Sequence, residues 1–171
     1  GGDPTRLVDV KSATKGTLGT TLLGLAVDDG LVKLDDPARK YYPEISAERP
    51  DERLDEITVR QLATMTAGFN DDRPPRLVYR PGTSGIYSND GANMLAELLT
   101  LRFGDDLSSV LRHRVMEPLA MPPDEWSWRQ NAFRPKTIHG QTSREFASGL
   151  RITPRALARI GLLYLHEGEW N

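Results

Sequence analysis

The sequence contains no cysteine, and this absence excludes several classes of site. Disulfide scaffolds, thiolate zinc sites, iron–sulfur clusters and cysteine nucleophiles all require that side chain. The chain also lacks an excess of charge of one sign, because 22 Lys and Arg oppose 24 Asp and Glu to give a formal net charge of −2. Without a basic excess to neutralise phosphates, the composition argues against a nucleic-acid-binding protein and against a polybasic membrane-surface protein.

Long apolar runs are absent as well. Residues 22–27 form one of the longest, far short of the roughly 20 residues that a transmembrane helix needs, so we expect no membrane span. Residues 1–6 lack the basic-then-apolar order of a secretory signal, which leaves the cellular compartment open. His113, His139 and His166 are too scattered for a metal site, and no phosphate-binding glycine motif is present. We therefore expect no metal and no other cofactor.

Helical patterns dominate the sequence, because apolar residues recur at spacings of three and four over five segments. The predicted helices cover residues 12–29, 58–67, 90–103, 106–116 and 154–167. Thr58 begins a capping-box pattern, and Thr153 precedes a proline in the way typical of a helix start. Strand signals are weak and limited to residues 8–10 and 151–152. The pattern and the length predict a single, mainly α domain over residues 1–171.

The connecting segments are polar or irregular. Residues 70–76 have the composition of a solvated loop, and residues 122–152 show little periodicity. Trp126 and Trp128 lie in the second segment. Tryptophans in such a position line a substrate cleft or pack an irregular loop onto helices, and we favour packing.

The first candidate for chemistry is the motif Ser12-Ala13-Thr14-Lys15, at the start of the first helical pattern. Residues three apart share a face of a helix, so the Lys15 ammonium can reach the Ser12 hydroxyl. A serine needs a base to become a nucleophile, and a lysine serves where its surroundings disfavour the ammonium form. The competing interpretation makes Ser12 an N-cap and Lys15 a surface residue.

The second candidate is Tyr87-Ser88-Asn89, which follows the turn-forming run Pro81-Gly82-Thr83. A phenol beside a serine and a lysine can relay a proton. Asn89 points to the same side as Tyr87 if the segment is extended, and its amide can hold a substrate carbonyl. The competing interpretation makes Tyr87 a core aromatic and Asn89 or Asp90 the N-cap of the next helix.

Together the two motifs resemble those of the serine β-lactamase and penicillin-binding-protein superfamily. The likeness is closest to its class C-type branch of β-lactamase-related hydrolases, which includes carboxylesterases and D-amino-acid peptidases. Residues 25–37, 57–69 and 147–161 resemble further family segments in the same order. Met65 departs from the pattern, because the family usually has a histidine there. The resemblance covers nearly the whole chain.

The resemblance implies a serine hydrolase that acts through an acyl-enzyme on an ester, an amide or a β-lactam. Ser12 would be the nucleophile and Lys15 its base or proton partner. Tyr87 would relay the proton to the leaving group or to the deacylating water. Asn89 would bind the carbonyl region of a small-molecule substrate. No cofactor is implied, and proteins of this family are often periplasmic or secreted.

The resemblance also implies a fold, the helical lobe of the β-lactamase/transpeptidase-like α/β fold, with most of the antiparallel sheet absent from this chain. In the family, strands from both chain ends build that sheet. The C-terminal strands carry a third motif and the second oxyanion donor, the first donor being the backbone N–H of Ser12. We therefore expect a fragment without those strands. Its exposed apolar face is expected to pair with another copy or with a complementing chain.

Two alternatives remain from the sequence. In one, the chain is a catalytically incomplete scaffold or partner-binding module of the same family. In the other, it is a plain helical domain in which Ser12 is only an N-cap. Covalent labelling by a fluorophosphonate or a penicillin separates both from the hydrolase, because only an activated serine reacts stoichiometrically.

Overall fold

The structure is a computed structural model that describes residues 2–47, 50–72 and 74–170. The ends of the predicted domain 1–171 and one residue of the predicted loop 70–76 lie outside this set. The α-helices are α1 (Thr20–Asp28), α2 (Val59–Ala63), α3 (Asn89–Phe103), α4 (Leu107–Leu111) and α5 (Pro154–Leu165). A π-helical turn at Lys15–Gly19 leads directly into α1, another at Arg112–Met116 extends α4, and 3₁₀ turns lie at Ala38–Lys40 and Glu52–Glu56.

Two small antiparallel sheets accompany the helices. Strands β1 (Val8–Asp9), β2 (Trp126–Trp128) and β5 (Leu150–Ile152) form a three-stranded sheet in the order β1-β5-β2. Val8 and Trp126 lie opposite Ile152 from its two sides. Strands β3 (Thr137–Ile138) and β4 (Gln141–Thr142) form a hairpin. The prediction of a mainly helical chain is therefore confirmed only in part, because the segment 122–152, where a strand was predicted only at residues 151–152, carries β2, β3 and β4 as well as β5.

Local capping signals determine where the helices begin. The Thr58 hydroxyl accepts a hydrogen bond from the Gln61 backbone N–H at 3.2 Å, and the Gln61 side chain accepts one from the Thr58 N–H at 3.0 Å. The predicted capping box is confirmed. Thr153 caps α5 by accepting from the Ala156 N–H at 3.1 Å, also as predicted. α2 ends earlier than predicted, because Met65 adopts a left-handed backbone conformation with φ of 57°.

α3 forms the centre of the core. All eleven residues from 90 to 100 are buried, and α3 packs against α1, the π-helical turn before it, and α2. A helix covered on all sides also buries its polar residues, here Asp90, Asn93 and Glu97. This packing brings the N-terminal end of α3 beside the start of the first helical segment.

Arg134 pairs with the buried carboxylate of Glu97. Its Nε and Nη2 each donate to a separate Glu97 oxygen at 2.7 Å, and the Tyr42 hydroxyl donates to Glu97 at 2.9 Å. Burial, together with the charge of Glu97, raises the pKa of Tyr42 from 10.0 to about 12. A buried charge requires such partners, because an unpaired carboxylate inside a protein is strongly destabilising.

The outer face of α5 is apolar and open to solvent. Ala156 and Ile160 are buried, whereas Leu162 and Leu165, three residues apart on the opposite face, are exposed, and Leu165 retains 77% of its accessible surface. A cavity of about 550 Å³ lies between α5, α1 and the end of the π-helical turn after α4. Within the described ranges, no helix is both long enough and apolar enough to cross a membrane.

Candidate active site

Ser12 lies at a sharp turn between β1 and the first helical segment. The preceding residue, Lys11, has a left-handed backbone with φ of 51°, and Asp9 holds it by accepting from its N–H at 2.9 Å and from its Nζ at 2.8 Å. The buried Thr14 donates to the Lys11 carbonyl at 2.6 Å and accepts from the Leu150 N–H at 3.3 Å. The turn is thus fastened to β5, and the Ser12 side chain is left exposed.

The structure brings Ser12, Lys15 and Tyr87 together. The Tyr87 hydroxyl donates to Ser12 Oγ at 2.7 Å. Lys15 Nζ donates to the same oxygen at 3.3 Å and lies 4.9 Å from the centroid of the Tyr87 ring. Ser12 Oγ is therefore engaged by two side chains instead of a backbone N–H, and it does not act as an N-cap.

Lys15 Nζ has two further acceptors. It donates to Asn89 Oδ1 at 2.7 Å and to the Ala147 carbonyl oxygen at 2.8 Å. With Ser12, these acceptors match the three N–H groups of an ammonium ion. Lys15 thus joins three segments that are far apart in sequence and is half-buried among them.

Asn89 is held in turn by Asp71. One carboxylate oxygen of Asp71 accepts from the Asn89 backbone N–H at 2.6 Å, and the other accepts from Asn89 Nδ2 at 2.7 Å. The amide of Asn89 therefore presents its oxygen to Lys15 and an N–H group to Asp71.

The Ala147 carbonyl is placed by packing and by one buried amide. Asn93, one helical turn after Asn89, accepts from the Ala147 N–H through Oδ1 at 3.0 Å. Phe146 stacks on Trp128, with ring centroids 5.9 Å apart and planes at 8°. On the other side, Gly19 allows the ring to approach, because a Cβ there would lie 3.3 Å from Phe146.

The surroundings of Tyr87 alter its acidity. Partial burial raises the pKa of the Tyr87 phenol, but hydrogen bonding to Lys15 and Ser12 and the charge of Lys15 outweigh burial. The negative charge of Asp71 acts in the opposite direction to Lys15. The net effect lowers the pKa of Tyr87 below its ordinary value.

Two sequence interpretations of this region are wrong. Tyr87 is not a core aromatic, since 52% of its surface is exposed. The N-cap of α3 is neither Asn89 nor Asp90 but Ser88, whose hydroxyl accepts from the Gly91 N–H at 3.0 Å. Moving the cap back by one residue puts Asn89 in the first turn of α3, where its side chain reaches Lys15.

Sequence reasoning also missed two contacts of this candidate site. Asp71 belongs to the segment 70–76 that was interpreted as a solvated loop, and Ala147 contributes only a backbone carbonyl. The acidic pair Asp71-Asp72 was visible, but its partner lies 18 residues from Asp71 and no local pattern connects them. Trp126 and Trp128 are buried in β2, which supports their predicted packing role.

Over the described residues, no group of three or more His, Cys, Asp or Glu side chains is placed to hold a metal ion. The backbone N–H of Ser12 has no hydrogen-bond acceptor within that same part of the chain. It is therefore free to donate to an oxygen near Ser12 Oγ.

Comparisons with known proteins identify relatives of this chain. The chain is 28% identical over 184 residues to the β-lactamase of Escherichia coli (strain K12), covering 90% of this chain and 46% of that protein. It is 28% identical over 138 residues to the D-alanyl-D-alanine-carboxypeptidase/endopeptidase AmpH of the same strain, covering 67% of this chain and 35% of that protein. The chain thus spans less than half the length of these two relatives.

A solved β-lactamase/D-alanine carboxypeptidase from Yersinia pestis, complexed with citrate, shares the fold. The TM-score is 0.67 at 24% identity, over 92% of this chain and 53% of that chain. A family model described as Beta-lactamase matches residues 3–170. Since that match covers nearly every residue, the resemblance seen in the sequence motifs is confirmed, and the chain belongs to the Beta-lactamase family.

Proposed function

We propose that this chain carries the nucleophile of a serine hydrolase that acts through an acyl-enzyme on an ester, an amide or a β-lactam. The observation that carries the proposal is the 2.7 Å hydrogen bond between the Tyr87 hydroxyl and Ser12 Oγ, beside the Lys15 ammonium. A nucleophile and its proton acceptor must lie within hydrogen-bond reach, and these two groups do. The family membership and the names of the relatives support the same reaction class.

Tyr87 is the proposed proton acceptor. The three N–H groups of Lys15 already point at three acceptors, so Lys15 acts as a cation that orients Ser12 and stabilises the Tyr87 phenolate. As Ser12 Oγ bonds to the substrate carbonyl carbon, its proton passes to the phenolate oxygen. When the tetrahedral intermediate collapses, the bond to the leaving group breaks and Tyr87 returns that proton to it.

Hydrolysis of the acyl-enzyme repeats the same steps with water. The water oxygen attacks the acyl carbonyl and gives one proton to Tyr87. Ser12 Oγ then leaves as the alcohol and takes the proton back. In both halves the Ser12 backbone N–H would donate to the developing oxyanion, a contact type worth about 10²–10³ in rate. The second N–H of the Asn89 amide would donate to the carbonyl region of the substrate.

Fluorophosphonate labelling tests this proposal directly. Attack by Ser12 Oγ on phosphorus expels fluoride and leaves a stable adduct, which intact-mass spectrometry counts. We expect one adduct per chain, none in Ser12→Ala, and unchanged labelling in Ser127→Ala, which removes an exposed serine of β2. A folded wild-type chain that acquires no adduct would refute the proposal.

A second candidate is a catalytically incomplete chain that binds a partner, and the apolar outer face of α5 favours it. Exposed leucine side chains on one face of a helix are typical of a surface that another polypeptide covers. This candidate predicts self-association or capture of a complementing chain without labelling of Ser12. Sedimentation velocity over a concentration series tests it, and a strictly monomeric species at high concentration counts against it.

A further inference from the structure

The carboxylate of Asp71 lies behind Asn89, on the side away from Lys15. Both of its oxygens are used on Asn89, one by the backbone N–H at 2.6 Å and one by Nδ2 at 2.7 Å. Among the residues that the structure describes, Asp71 is the one whose side chain is linked to Lys15 through the Asn89 amide. Asp71 itself is exposed, so its carboxylate is not there to fill the core.

The orientation of an asparagine amide is not determined by its shape, because the oxygen and the NH₂ group have nearly the same size. It is determined by what each end meets. Asn89 meets an ammonium on one end and a carboxylate on the other. A carboxylate accepts and cannot donate, so only the NH₂ end can face Asp71.

The reverse orientation would remove both contacts. The NH₂ group would face the donors of Lys15, and the amide oxygen would face the carboxylate oxygen of Asp71. Lys15 would then keep the Ala147 carbonyl, at 2.8 Å, and lose the short bond to Asn89. Its contact with Ser12 Oγ, the longest of the three at 3.3 Å, depends on where those two shorter bonds hold Nζ.

We propose that Asp71 is a positioning residue, which locks the Asn89 amide with its oxygen toward Lys15 and thereby holds the ammonium beside the Ser12 hydroxyl. This role rests on the proposed function, since it concerns the rate at which Ser12 reacts. Asp71 does not contact Ser12 or the substrate carbonyl position through its own hydrogen bonds. It acts through Asn89.

The competing explanation is that Asp71 only supports the start of α3. The Asn89 N–H belongs to the first turn, where backbone donors lack partners within the helix, and a carboxylate there is favourable. That role uses the backbone contact alone and does not need the Asn89 side chain. Removing the side chain therefore separates the two roles.

The test is a double-mutant cycle on the fluorophosphonate labelling rate. Asp71→Asn keeps the shape and replaces one of the two accepting oxygens with an NH₂ group that donates. At a pH at which Tyr87 is ionised in both proteins, we expect labelling to slow by about 10- to 100-fold, as small misplacements of catalytic groups do. In an Asn89→Ala background the same change should have less than about a twofold effect, because coupled residues are not additive. Asp72→Asn is the matched control, since Asp72 bonds to Asn70 and Arg76 instead.

A second measurement does not require activity. The Asn89 side-chain NH₂ signals in an ¹⁵N–¹H spectrum are identified by their loss in Asn89→Ala. Asp71→Asn should shift them and Asp72→Asn should not. Labelling of Asp71→Asn at the wild-type rate, at a pH at which Tyr87 is ionised in both proteins, would overturn the inference, as would equal slowing in both backgrounds. Absence of labelling in the wild type would refute the proposed function, and the NH₂ signals would then decide on Asp71 by themselves.

Discussion

The buried pair of Arg134 and Glu97 offers a quantitative test of the fold. The side chains of Arg134 and Glu97 retain only 18% and 3% of their accessible surface. Arg134→Met keeps the apolar length of the side chain, removes both hydrogen bonds to the Glu97 carboxylate and removes the 3.5 Å contact of Arg134 Nη1 with the buried Asp90. Glu97 would remain inside the protein with the Tyr42 hydroxyl as its remaining partner in the described structure. Breaking a buried ion pair from one side costs about 3–5 kcal/mol, because an uncompensated charge stays behind.

Urea unfolding followed by circular dichroism measures this loss as a fall in the free energy of unfolding. The matched control is Arg60→Met, because Arg60 makes the same two-pronged contact with Asp35, at 2.7 and 3.0 Å. Those side chains retain 51% and 78% of their surface, so solvent screens the pair. The control should cost about 1 kcal/mol or less.

Removal of both charges completes the test. The double variant Arg134→Met with Glu97→Met removes the Glu97 charge and leaves Asp90 as it is in the single variant, so its free energy of unfolding should exceed that of Arg134→Met alone. An Arg134→Met variant that loses no more stability than Arg60→Met would contradict a strong buried ion pair. A double variant that is less stable than the single one would contradict it as well.

Two further predictions concern the site and its supporting loop. The fluorophosphonate labelling rate should rise with pH, with the midpoint of the rise below pH 10, because the phenolate of Tyr87 is the reactive form and the pKa of Tyr87 is lowered from 10.0. Tyr87→Phe should remove this dependence on pH. Gly68→Ala should destabilise the fold by more than about 2 kcal/mol in urea unfolding, because Gly68 has φ of 92° and an added Cβ would collide with a backbone carbonyl. Gly24→Ala in α1, where a Cβ meets nothing within 4 Å, should be neutral or stabilising and serves as its control.

Sequence reasoning located the helices because their signals are local. Thr58 and Thr153 each lie within three residues of the N–H groups that they cap, so a short window contains both partners. β1 and most of β5 lie in the predicted strand segments 8–10 and 151–152, whereas β2 was not predicted, for the opposite reason. β2 is only three residues long, and its alternation of buried Trp126 and Trp128 about an exposed serine becomes meaningful only when β5 lies beside it. Pairing across more than twenty residues leaves no periodic signal.

The contacts of the candidate site also differ in how far apart the partners lie in the sequence. Ser12 and Lys15 are three residues apart on a helical turn, so the contact between them was predictable from spacing. The contact of Tyr87 with Ser12 spans 75 residues and was inferred from the family motif rather than from geometry. The Asp71 contact had neither spacing nor motif to indicate it. It depends on how the loop at 70–72 folds back over the start of α3.

Asp71 should have two opposite effects on labelling, and pH separates them. Its charge raises the pKa of Tyr87, against the larger influence of Lys15 and Ser12, so Asp71→Asn should lower that pKa and increase the phenolate fraction at neutral pH. Loss of the contact that orients the Asn89 amide should meanwhile slow the reaction of Ser12 in every molecule whose Tyr87 is ionised. Once the pH exceeds the pKa of Tyr87 in both proteins, the first effect disappears and the second remains. The ratio of the Asp71→Asn labelling rate to the wild-type rate should therefore fall as the pH rises, whereas a simple loss of folded protein would give a ratio that does not follow the titration of Tyr87.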